Sequence, residues 1–197
     1  RKILERETPQ TAKDYQYKTT HPQTSDRYIW LKNSFKKYPN CQNKLDLKLE
    51  RKFQNVKAKL AAFTHNKNEV IALYQDKETE FAKYAVAAAN FFNGNQEKSI
   101  NLIKSLINSY PKNPYYHEFL GEIYYFQGDY DKAIKEQKTA MSILSKDNDL
   151  HLMMLGTYLI AESSNRSIIE SIGVLNKSLF LNRFNSYSWY LLAKAHA

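Results

Sequence analysis

The feature that most constrains this chain is a recurrence of small residues at one fixed interval. Ala87 and Gly121 stand 34 positions apart, as do Gly94 and Gly128, and Ser99 and Ala133. Small side chains repeated in register allow two helices to approach closely, and the large residues beside them fill the gaps between successive pairs. Leu120 and Tyr124 flank Gly121 at helical spacing, and Ala140 lies two turns beyond Ala133 on the same helix face. Gly128 stands where the chain must reverse between the two helices. With only 5 Gly and 5 Pro in 197 residues, breakers are scarce, which favours long helices over short strands.

Counted from Pro114, these residues reproduce the tetratricopeptide pattern. Leu120, Gly121 and Tyr124 take its seventh, eighth and eleventh positions, and Ala133 and Ala140 its twentieth and twenty-seventh. His117 replaces the usual Trp, and Gln137 the usual Phe. One unit earlier, counting from Glu80, Ala87 and Ser99 are in phase and Pro111 closes the second helix. One unit later, counting from Asn148, Met154 and Tyr158 fall at the large positions, and Leu155 breaks the small-residue rule. Four extra residues in the turn at 163–167 put Ser171 and Ser178 at the small positions. A new unit then opens at Ser186 with Trp189, Leu192 and Ala193 in place. The expected fold is all-α: a tetratricopeptide-like helix-pair solenoid over 80–113, 114–147, 148–185 and a partial 186–197, preceded by a basic helical segment.

Residues 1–25 read as an irregular remnant of a preceding domain, and 26–79 as a basic helical linker or packing segment. Thr24 or Ser25 is expected to cap a helix carrying Tyr28, Ile29, Leu31 and Phe35, which ends at Tyr38, Pro39 and Asn40. A second helix, over about 45–63, places Leu45, Leu49, Phe53, Val56 and Leu60 on one face, and a third runs from about 68 to 76. Of the net charge of +9, nearly all belongs to the front: residues 1–79 hold 17 Lys and Arg against 9 Asp and Glu. Residues 27–67 are therefore a possible contact for an anionic surface. Nucleic acid is disfavoured, because Tyr28, Trp30 and Phe35 sit at core spacing instead of offering stacking platforms. No stretch is apolar enough for a membrane span.

No complete catalytic constellation is present. His117-Glu118 begins a zinc-protease motif, but Gly121 stands where the second His is needed. Cys41, the single cysteine, has no metal-binding neighbour in sequence. The chain by itself is expected to be a binder, with no cofactor. In a stack of helix pairs the first helix of each unit lines a concave groove. Its second, fifth, ninth and twelfth positions nominate Phe81, Tyr84, Ala88 and Phe91, then Tyr115, Glu118, Glu122 and Tyr125, then Leu152 and Leu159. Such a surface suits a protein or peptide partner, with a basic residue facing Glu118 and Glu122. The sequence leaves open whether these aromatics line the groove or pack on preceding helices.

Thr20-His21-Pro22 followed by Arg27 resembles the T-H-P-x-x-x-x-R stretch that follows the catalytic domain of bacterial M48 zinc metallopeptidases with C-terminal repeats. Val56-Lys57-Ala58-Lys59-Leu60 with Phe63 resembles their R-x-K-A-K-L-x-x-F segment. Pro111 to Tyr115, with Glu118, Gly121 and Gly128, is similar to their repeat opening. The resemblance implies the C-terminal part of a periplasmic or membrane-associated protease of envelope quality control, whose repeats recruit clients. It implies zinc for the parent enzyme, with the H-E-x-x-H helix absent from this chain, and it leaves His21 as a possible neighbour of that metal. The alternative reading is a free-standing repeat adaptor.

Overall fold

The computed structural model describes residues 24–37 and 46–197, and among these every regular element is a helix. The chain divides into two compact units, residues 1–50 and 51–197. The first holds α1 (Thr24–Lys37) and the opening turn of α2 (Leu47–Thr64). Helix α1 includes Thr24 and Ser25, which were expected just before it. Ile29, Trp30, Leu31 and Phe35, expected in a core, are exposed. The expected helix end at Tyr38, and His21, lie outside the described residues.

The second unit continues with α3 (Lys67–Tyr74), α4 (Glu80–Phe92), α5 (Gln96–Ser109), α6 (Pro114–Phe126), α7 (Tyr130–Ile143), α8 (Asp149–Glu162), α9 (Asn165–Leu181) and α10 (Ser186–His196). Helices α4 and α5, α6 and α7, and α8 and α9 pack as pairs, and each pair rests on the next. A side-chain oxygen that accepts a backbone N–H stabilises the start of a helix. Asn113, Asn148 and Asn185 open α6, α8 and α10 in this way, accepting from Tyr115, Leu150 and Ser188 at 3.2, 2.8 and 3.1 Å. Gly94 and Gly128 end α4 and α6 in the left-handed region, at φ 84° and 79°, the usual place for glycine just past a helix. Asn95 and Asp129 then donate their N–H groups back to Asn90 and Tyr124, at 2.8 and 3.0 Å. Ser163, directly after α8, also stands in the left-handed region, at φ 66°, without glycine's freedom.

Small residues sit where helices cross. Ala87, Ala133, Ala140, Ser99, Ser171 and Ser178 are fully buried. The serines also supply bonds to neighbouring carbonyls. Ser99 Oγ donates to Ala87 O at 2.8 Å, and Ser178 Oγ to Asp149 O at 2.9 Å. Gln137, in place of Phe, is equally buried and donates to His151 O at 3.0 Å. His117, in place of Trp, is half-buried with Nδ1 2.7 Å from Glu136 Oε2.

The structure corrects the third unit. Its cap is Asn148, so the helix begins at Asp149, one residue later than expected. The α7–α8 connection (144–148) is one residue longer than the α5–α6 connection (110–113). Gly156, not Leu155, therefore takes the small position, and Leu155 and Leu159 take the large ones. The four extra residues are not an inserted turn either. Residues 163–164 alone join α8 to α9, and α9 is the longer helix, with 17 residues against 14 in α7.

Helices α2 and α3 form a further, shortened pair within the second unit. Counted from Arg51, Ala58 is the eighth residue and Val70 the twentieth, both buried, and they share a core with Tyr74, Ala82, Ala85 and Ala89. The expected apolar face of α2 is instead turned outward: Leu49, Phe53, Val56 and Leu60 are all exposed. Leu45 lies outside the described residues. The inner face of α2 is made of alanines: Ala58 and Ala61 pack in one cluster with Val70 and Tyr74 of α3 and Ala82, Ala85 and Ala89 of α4, where a close-packed interior leaves little room for larger side chains.

Candidate binding groove

The first helices of successive units, α2, α4, α6, α8 and α10, carry the candidate groove. Phe81 is half-buried, and Tyr84 is nearly covered, with its ring 5.9 Å from that of Tyr116 and 5.5 Å from that of Phe119. Tyr115 is 52% exposed, and Glu118, Glu122 and Tyr125 are half-buried. Ala88 and Phe91 are buried in the core beneath these positions. Phe91 sits edge-on to Phe119 at 5.7 Å and belongs as much to the core as to the groove. Leu152 and Leu159 do not face the groove. The one-residue shift turns both inward, to 2% and 1% exposure. Leu150 and Met153 stand at the groove positions instead, exposed and half-buried.

Three groove residues escape the sequence reading because they lie in the segment read as a linker. Lys52, Asn55 and Lys59 occupy the second, fifth and ninth positions of the pair that starts at Arg51. Together with Val56, Phe81, Tyr84, Asn113, Tyr115 and Tyr116 they line a cavity of about 470 Å³. The Lys59 ammonium lies 5.9 Å from the Tyr84 ring centre and 5.6 Å from that of Tyr115. It thus rests against π faces from α4 and α6, which attract a cation. The signal that could reveal these residues is the Ala58–Val70 spacing, hidden by a second helix of only 8 residues.

No protein-family profile and no curated protein matches the chain. Solved structures do. MamA MSR-1 C2 superposes with a TM-score of 0.58 at 18% identity, over 75% of this chain and 86% of that one. A putative Podospora anserina kinesin light chain with nearly identical TPR-like repeats gives 0.56 at 14%, over 78% and 88%. Yeast Tom70 gives 0.61 at 17%, over 89% of this chain and 36% of Tom70. The fold is a TPR-like helical solenoid.

The TPR-like groove changes charge along its length. Its α2 wall is basic. Its α6 wall carries Glu118 and Glu122, one helical turn apart. Burial raises the Glu122 carboxyl above the usual carboxylate range, the neighbouring Glu118 raises it further, and Lys59 opposes both. Burial also raises the Tyr84 hydroxyl, and Glu122 and Glu118 add to the effect. The Tyr158 hydroxyl is raised as well, first by burial and then by Glu122, Glu118 and Tyr125. Glu118 Oε2 lies 3.7 Å from His151 Nε2. Beyond the carboxylates the Tyr125 ring stacks on Tyr158 at 5.0 Å, and Tyr187 stacks on Tyr190 at 5.7 Å. Among the described residues no three His, Cys, Asp or Glu side chains come together to hold a metal ion. Among the same residues no helix is long and apolar enough to cross a membrane.

Proposed function

We propose that this chain binds an extended peptide segment of a partner protein along the TPR-like groove, with a basic side chain of the partner against Glu118 and Glu122. The observation that carries this is the charged and aromatic strip itself. Two half-buried carboxylates, one of them already raised by burial and by its neighbour, stand between tyrosine faces. An incoming cation relieves their repulsion. Lys59, lying over two of those rings, is a resident example of the chemistry the site accepts. Fluorescence polarisation with lysine-bearing and neutral peptides tests it. Glu122→Lys is expected to weaken the basic peptide at least tenfold, and equal affinity in the variant moves the interaction surface elsewhere.

The finer reading is that the solenoid is the client-recruiting region of an M48-like zinc metallopeptidase, periplasmic or membrane-associated, acting in envelope quality control. The T-H-P stretch, the Val56 to Phe63 segment and the repeat opening support it. Zinc would belong to the catalytic domain of such an enzyme, and no step is assigned to it in this chain. Finding an H-E-x-x-H helix encoded upstream of Arg1 in the same reading frame tests this reading. Its absence favours a free-standing adaptor.

A further inference from the structure

We propose that the outward side of α2 lies flat on an anionic lipid surface, with its apolar stripe below the headgroups and its lysines among the phosphates. This surface is independent of the groove, whose cavity Phe53, Leu60 and Phe63 do not line. These three and Val56 recur at intervals of three and four, so they form one stripe along the helix, turned away from Ala58 and Ala62. Each is 48–59% exposed, whereas the two alanines are fully buried. At the end of the stripe Phe63 sits edge-on to the exposed Phe92 ring at 5.0 Å, which carries the apolar surface onto α4.

Charge selects lipid as the occupant. Residues 51–64 hold Arg51, Lys52, Lys57 and Lys59 and no Asp or Glu. Helical spacing sets Lys52 on one flank of the stripe and Lys57 on the other, and both are exposed. Among the described residues Arg51 is paired with Glu80, and no ion pair uses Lys52 or Lys57. A helix bound in the interface of an anionic bilayer has this distribution. Its apolar side chains enter the acyl boundary, and lysines at the edges reach the phosphates on stems that also cover apolar surface. A protein partner would have to match four side chains in shape and both flanks in charge, whereas a fluid anionic bilayer meets both demands without a shaped surface. Helix α1, taken by itself, has the same make-up: exposed Trp30, Leu31 and Phe35 beside exposed Lys32, Lys36 and Lys37. Trp is among the residues enriched at membrane interfaces.

Co-sedimentation of the full chain with lipid vesicles tests this. The probes are vesicles of phosphatidylcholine alone and of equal parts phosphatidylcholine and phosphatidylglycerol. The mixed vesicles are expected to bind the chain about tenfold tighter, since each lysine near an anionic surface adds to the attraction. Phe53→Gln with Leu60→Gln is expected to weaken binding to the mixed vesicles about tenfold, because the stripe no longer enters the bilayer. Lys52→Gln with Lys57→Gln is expected to reduce the preference for the anionic vesicles about fivefold. All four sites are exposed, so neither double variant removes a core contact. The proposal is overturned if neither vesicle binds, if both bind alike, or if the lysine variant keeps the full preference. It is also overturned if the apolar variant pellets like the parent, which would leave charge adsorption alone. Sedimentation velocity separates the other occupant. If the parent is a dimer that Phe53→Gln with Leu60→Gln dissolves, and no vesicle binds, a second copy covers α2 and the lipid reading falls.

Discussion

Gly156 and Leu175 lie so close that a methyl group built on the glycine would stand 2.7 Å from the leucine Cγ. This close crossing of α8 on α9 locates the small position of the third unit. Gly156→Ala is therefore expected to destabilise the chain by about 1–3 kcal/mol through overpacking. Gly173, on the same α9 helix, has nothing within 4 Å of its missing Cβ. Gly173→Ala is expected to stabilise by about 0.5–1 kcal/mol through helix propensity. Urea unfolding of the two variants checks the opposite signs. A shared sign would mean that α8 and α9 are not packed this closely.

The left-handed turns give a second contrast. Gly128 sits at φ 79° with nothing crowding the place of its missing Cβ. Gly128→Ala puts a Cβ into that conformation and is expected to lose about 1–2 kcal/mol. Ser163 holds the equivalent conformation at φ 66°. Ser163→Gly releases its strain and is expected to gain less than about 1 kcal/mol, since glycine also frees the unfolded chain. Thermal melts of both variants are the measurement.

Glu80 joins three helices. It accepts a hydrogen bond from Tyr116 at 2.6 Å and pairs with Arg51, whose guanidinium also lies 5.7 Å from the Tyr110 ring centre. Tyr116→Phe removes one bond to a charged acceptor and is expected to lose about 1.5–3 kcal/mol. Glu80→Gln is expected to lower the melting temperature more at low salt than at high salt, because the exposed Arg51 is screened. A salt-independent loss would assign the effect to packing alone.

Glu122 sets an acid response. Its folded-state pKa is raised, so between the ordinary carboxylate value and the raised one the folded chain holds more protons than the unfolded chain. Stability therefore falls as pH rises through that window. Glu122→Gln is expected to raise the melting temperature at pH 7, and the gain is expected to vanish once pH drops below the ordinary glutamate range. Melts of both proteins from acid to neutral pH check this. A gain that persists at acid pH would point to a cause other than charge.

Legibility in the sequence depends on which side chains carry the contact. The regular units are readable because Ala87, Gly121, Ala133 and Ala140 are small for a geometric reason that sequence preserves. The third unit slips because counting carries the phase forward unchanged, while the Leu120-Gly121 pair recurs as Leu155-Gly156 one residue late. Leu152 and Leu159 fall on groove positions for that reason alone. In α2 the large residues draw the eye. Burial falls on the small residues, however, and Ala58 and Ala62 are the covered ones. Lys52, Asn55 and Lys59 stay hidden because a pair with a second helix this short has no regular period to detect.

Where α2 stands has a practical corollary for dissecting the molecule. A fragment cut at Glu80, where the regular spacing starts, would keep its tidiest architecture and yet present a cleft open on one flank. Boundaries drawn by symmetry would discard Lys52, Asn55 and Lys59, and with them the cleft's basic side.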